Sequence, residues 1–65
     1  IVSYREVVRL EPQNADAHYN LGLALKGRRR NEEAIRSFQT ALDLYQQQNN
    51  AEGIANAEEV LDDLQ

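Results

Sequence analysis

Residues 15–48, ADAHYNLGLALKGRRRNEEAIRSFQTALDLYQQQ, decide the fold of this chain. They contain two helical patterns joined by a short basic turn. In each pattern, residues recur at the spacing that places them on one face of a helix with 3.6 residues per turn. These residues are His18, Leu21, Gly22 and Leu25 in the first pattern, and Ala34, Phe38, Ala41, Leu42 and Tyr45 in the second. Because Gly22 and the alanines are small, we expect the two helices to approach closely along this seam.

Two short motifs in this stretch carry a family resemblance. Leu21 and Gly22 are adjacent in the first helix, and Ala34 precedes Phe38 by three intervening residues in the second. The stretch resembles a tetratricopeptide repeat, whose signature contains Leu-Gly and, later, Ala followed after three residues by an aromatic residue. The departures from the family pattern are His18 at its Trp site, Leu25 at its Tyr site and Gln46 at its Pro site.

The start of the chain repeats this pattern at the family's period of 34 residues. Five apolar positions recur in one register: Ile1 and Ile35, Tyr4 and Phe38, Val7 and Ala41, Val8 and Leu42, and Leu10 and Leu44. The segment before Pro12 therefore reads as the second helix of a preceding repeat. Because the chain begins at Ile1 and contains no methionine, we also expect it to be a fragment or a processed product.

The predicted fold class is all-α, with antiparallel helix-turn-helix repeats forming a tetratricopeptide-like α-solenoid that ends in a C-terminal capping helix. Residues 1–14 are expected to form the second helix of a truncated repeat and its turn, residues 15–48 one complete repeat, and residues 49–65 an acidic capping helix. The alternative for the last segment is the first helix of a longer repeat variant with six extra residues. That alternative would place Asp62 at the glycine site, where it would hinder close packing, so we favour the cap.

Polar and turn-forming residues predict the ends of the helices. Capping by Asn14 and Asn31, a left-handed Gly27, and a capping box formed by Asn49 and Glu52 are expected. We also expect Pro12 to stop the first helix, because proline disfavours helical backbone in the residue before it.

Composition excludes several classes of protein. The chain has 65 residues, a net charge of −4, no cysteine and one histidine. We therefore predict no metal site and no cofactor, and a soluble protein without a membrane span, most naturally placed in the cytoplasm. The acidic balance also argues against nucleic acid as a partner.

Three groups of polar residues are candidates for chemical sites. His18 lacks a second histidine or an oriented partner, so it is interpreted as a packing residue, and no catalytic residue is predicted. The acidic pairs Glu58-Glu59 and Asp62-Asp63 are interpreted as a solvated face. The secondary basic patch of Arg28, Arg29 and Arg30 follows a helix C-terminus, where cations are favoured. It could also contact an acidic partner, lipid headgroups or RNA.

The resemblance implies a non-catalytic protein-interaction module, a scaffold or adaptor, whose first helix presents a face to a peptide or protein partner. On this chain the partner-binding face is expected to contain Asp16, Tyr19, Asn20, Leu23 and Lys26. A competing interpretation is that neighbouring helices cover Tyr19 and Leu23. The alternative function is that of a structural element that mediates self-association. In that case a homodimer through the N-terminal helix is expected. The identity of the partner does not follow from the sequence.

Overall fold

The computed structural model describes residues 3–65. It contains four α-helices: α1 (Tyr4–Leu10), α2 (Ala15–Gly27), α3 (Asn31–Gln47) and α4 (Ala51–Leu64). Each helix packs against the next one along the chain. Residues 3–65 contain no strand, which agrees with the all-α prediction. The expected N-terminal helix over residues 1–10 is present from Tyr4, and its first two positions, Ile1 and Val2, lie outside the described residues.

The buried side chains show that the helices alternate in direction. One core cluster joins Leu25 near the end of α2 to Ala34 near the start of α3 and Leu61 near the end of α4. A second cluster joins Ala15 at the start of α2 to Tyr45 near the end of α3. Helices α2 and α4 therefore run parallel to each other, with the antiparallel α3 packed against both.

Serine or asparagine side chains cap the N-termini of three of the helices. The side chains of Ser3, Asn14 and Asn50 accept hydrogen bonds from the backbone N–H three residues later. The prediction for Asn14 is confirmed. The prediction for Asn31 is wrong, because α3 already includes this residue and its N-terminus has no side-chain cap. The capping box of Asn49 and Glu52 is also wrong, because Asn50 takes the capping position.

The turns after α2 and α3 share one backbone arrangement. Arg29 and Asn49 have φ angles of 62° and 56°, in the left-handed region. The following N–H groups, of Arg30 and Asn50, donate to carbonyls five residues earlier at 2.9 Å, which is the bond of a Schellman motif. The expectation of a left-handed Gly27 is therefore wrong. Gly27 ends α2 and does not have a positive φ.

The centre of the core is the contact between α2 and α3. Phe38 is 0% exposed, and its ring lies directly against Gly22. A Cβ at Gly22 would lie 2.6 Å from Cε1 of Phe38, well inside van der Waals contact. Only a residue without a side chain allows this approach. The close seam expected from the sequence is therefore present in the structure.

Helix α4 makes a second close approach to α3, near the C-terminal end of α3. Gly53 is buried, and a Cβ there would overlap the ring of Tyr45. Ala57, Val60 and Leu61 are buried against α3 as well. The capping helix and the longer repeat variant both place α4 on α3, so its role as a cap stays a prediction.

The Gly22 contact makes a testable prediction with an internal control. Gly22→Leu should lower the free energy of unfolding by about 1–3 kcal/mol, because the added side chain overpacks the seam. Gly27→Leu should leave stability unchanged or raise it by up to about 1 kcal/mol, because leucine favours helix over glycine. A Cβ at Gly27 would meet no atom within 4 Å. Urea unfolding followed by circular dichroism measures both. Equal stability of the two variants would contradict the seam.

Candidate functional site

The predicted partner-binding residues occupy an outward face of α2. Asp16, Asn20 and Leu23 are exposed and follow one another at spacings of four and three residues, so they form one stripe. Leu23 is 42% exposed. Lys26 is exposed near the C-terminal end of the helix. The structure thus brings these four residues onto accessible surface of one helix.

Tyr19 lies partly within the core. Its ring meets the ring of Phe38 edge-on, with centroids 5.4 Å apart and planes at 64°. It also packs against both core clusters and is half-buried. Neighbouring helices therefore cover part of Tyr19, whereas Leu23 keeps much of its surface free. The two apolar residues of the predicted face have different surroundings.

Asp16 is joined to the core by a hydrogen bond. The hydroxyl of Tyr45 donates to Oδ1 of Asp16 at 2.5 Å. Tyr45 is only 4% exposed. Burial, and then the hydrogen bond and the negative charge of Asp16, raise the pKa of Tyr45 far above its ordinary value. The hydroxyl therefore stays protonated and holds the carboxylate at the start of α2 against α3.

A cavity of about 270 Å³ lies between the N-terminal parts of α2 and α4. The groups that line it are polar, apart from a buried ring and a glycine: Asp16, Tyr45, Asn50, Glu52, Gly53 and Asn56. Of these, only Asp16 was predicted to contact a partner. Most of the missed residues belong to α4 or its N-cap, and only the parallel order of α2 and α4 brings them beside Asp16. The one signal in the sequence was Gly53, a glycine inside an otherwise regular helical pattern.

The secondary basic patch is divided between two places. Arg28 and Arg30 line a cavity of about 410 Å³ between α1 and α2, together with Tyr4 and Leu21. Arg29 occupies the left-handed turn position and, with Arg30, lines a second cavity at the start of α3. The three arginines therefore do not form one cluster facing the predicted partner-binding stripe.

His18 holds the turn before α2. Its Nε2–H donates to the carbonyl of Pro12 at 3.0 Å, and the residue is half-buried. Within residues 3–65, no three side chains of metal-ligating type converge on one point. None of the helices described is both long enough and apolar enough to cross a bilayer.

The buried hydroxyl of Tyr45 should make the free energy of unfolding depend on pH. Tyr45→Phe should cost about 1 kcal/mol at neutral pH, because it removes a hydrogen bond to a charged group that is partly solvated. The folded state raises the pKa of Tyr45 above the unfolded value of about 10, so its contribution is present below that pH and is lost as the pH rises. Urea unfolding at pH 7 and near pH 11 should show a smaller alkaline loss for Tyr45→Phe than for the parent. The exposed Tyr4→Phe is the matched control, and identical behaviour of both variants would contradict this role.

Comparisons with known proteins agree with this architecture. A family profile described as Tetratricopeptide repeat matches residues 15–50, and one described as TPR repeat matches residues 1–27. The chain is 39% identical over 61 residues to a TPR repeat-containing protein from Picosynechococcus sp.. That match covers 94% of the chain but only 16% of the relative. No solved structure matches the chain. Because one profile covers more than half of the residues and the helices follow the expected pattern, the chain belongs to the tetratricopeptide repeat family.

Proposed function

We propose that the chain is a non-catalytic interaction module that binds a peptide or protein partner through the outward face of α2. Asp16, Tyr19, Asn20, Leu23 and Lys26 are the contact residues. The observation that carries the proposal is the exposed Leu23 beside Asn20 on the stripe that leads to the Asp16 cavity. Tetratricopeptide repeats in general mediate protein–protein interaction and act as non-catalytic scaffolds.

The chemistry of the face suits an extended peptide. Leu23 offers apolar area for one side chain of the partner. The amide of Asn20 has both donor and acceptor atoms, so it matches the two groups of a peptide bond. Lys26 can meet a carboxylate near the end of the helix. Tyr19, held edge-on by Phe38, limits the movement of the surface beneath the partner and so lowers the entropy lost on binding.

A paired substitution tests this face. Leu23→Gln should weaken the binding of peptides selected against the chain from a random display library by roughly tenfold, because it removes the apolar contact. Leu10→Gln, on the exposed side of α1, should leave affinity unchanged. Isothermal titration calorimetry measures both, and circular dichroism checks that both stay folded. Equal affinities for the two variants, or a library that yields no binder, would contradict the proposal.

The second candidate function, self-association, is favoured by the exposure of α1. Tyr4 and Leu10 are 48% and 64% exposed on this short helix, and Val7 and Val8 are only half-buried. A two-fold contact between α1 helices would cover these side chains and close on itself. Ile1, at the start of the predicted N-terminal helix, lies outside the described residues.

Sedimentation equilibrium distinguishes this second candidate. A homodimer predicts an average mass that rises with concentration up to twice that of the chain, and a Tyr4→Glu variant that stays monomeric because the charge is buried at the contact. The matched control is Leu23→Glu, on the face of α2, which should dimerise normally. A parent chain that is monomeric at millimolar concentration would exclude the α1 dimer.

A further inference from the structure

We propose that the partner segment is cationic and lies in the groove between α2 and α4, with its lysine or arginine side chains facing α4. This proposal rests on the proposed function. This assignment concerns the chemistry of the partner. The partner-binding residues of α2 form one wall of the groove, and residues of α4 form the other.

Helix α4 forms the second wall of the groove. Glu52 and Asn56 line the same cavity as Asp16, so this side of α4 faces the stripe on α2. Glu52, Asn56, Glu59 and Asp63 are spaced by four, three and four residues, and all are exposed. At about 100° per residue they fall within a narrow stripe. Two parallel exposed stripes therefore border one groove, joined at its start by the cavity.

The two walls of the groove are predominantly acidic. The residues bordering the groove carry four carboxylates, Asp16, Glu52, Glu59 and Asp63, against one cation, Lys26. Helix α4 contains no basic residue at all. The other nearby cations, Arg28 and Arg30, line the cavity on the α1 side of α2. Charge complementarity between surface patches selects partners and speeds their encounter, so this groove favours a basic segment over an acidic one.

The groove begins at a small cavity. The cavity there measures about 270 Å³, just below the smallest pockets that typically hold whole ligands, about 300 Å³. It therefore suits the end of one side chain. The Tyr45 hydroxyl engages Oδ1 of Asp16, which holds that carboxylate at the cavity. The carboxylate of Glu52 lines the same cavity, and together these groups match an ammonium or guanidinium.

The charges set selectivity rather than most of the affinity. Each solvated ion pair changes the affinity by only about fivefold or less. The apolar contact at Leu23 and the hydrogen bonds of Asn20 must supply the remainder. Binding of the cationic segment should therefore weaken as salt rises, because exposed charges are screened.

The test begins with a random dodecapeptide display library, panned against the whole chain. Selected peptides that lose affinity with Leu23→Gln should be enriched in lysine and arginine. One such peptide is then titrated against two charge-reversal variants by fluorescence anisotropy. Glu59→Lys should weaken it by roughly three- to tenfold, because it reverses one carboxylate of the groove. Glu58→Lys, the adjacent exposed position on another side of α4, should have a clearly smaller effect.

The outcomes separate this inference from the proposed function. Peptides that depend on Leu23 but lack basic residues would overturn the cationic partner while leaving the binding face of α2 in place. Equal effects of Glu59→Lys and Glu58→Lys would show that net charge acts at long range, which would overturn the groove assignment. Peptides that bind regardless of Leu23→Gln, or a library without binders, would contradict the proposed function itself.

Discussion

The structure depends on the contact between the backbone of Gly22 and the ring of Phe38. The ring is fully buried and lies where a β-carbon at position 22 of α2 would clash. Glycine costs about 1 kcal/mol in the middle of a helix relative to alanine. In return, two helices approach closely enough to exclude water along the seam. The exposed stripe of α2 exists because the other side of that helix is committed to this contact.

A second glycine–ring contact forms near the C-terminal end of α3. Gly53 of α4 lies under the ring of Tyr45, whose hydroxyl then reaches Asp16 of α2. One side chain of α3 thus touches both flanking helices. This arrangement sets the distance between α2 and α4 and creates the polar cavity between them. The candidate binding groove is therefore a consequence of helix packing.

Local sequence patterns predicted most of the fold but little of the groove. The period of 34 residues and the Leu21-Gly22 motif locate the seam, since both report on repeated packing positions. Helix ends were harder, because Arg29 and Asn49 adopt left-handed backbone that sequence rules assign to glycine. The bond between Asp16 and Tyr45 spans 29 positions and leaves no periodic trace. Similarly, α4 reaches the groove only through the antiparallel stacking of three helices.

The most direct test of this account is nuclear magnetic resonance of the labelled chain in solution. The account predicts strong nuclear Overhauser effects between the Hα protons of Gly22 and the ring protons of Phe38, with those Hα resonances shifted by the ring current. Exposed Gly27, with no neighbour within 4 Å of where its Cβ would lie, should show no such shift. Unshifted Gly22 resonances without ring contacts, in a chain that is otherwise helical, would contradict the seam and the groove that is built on it.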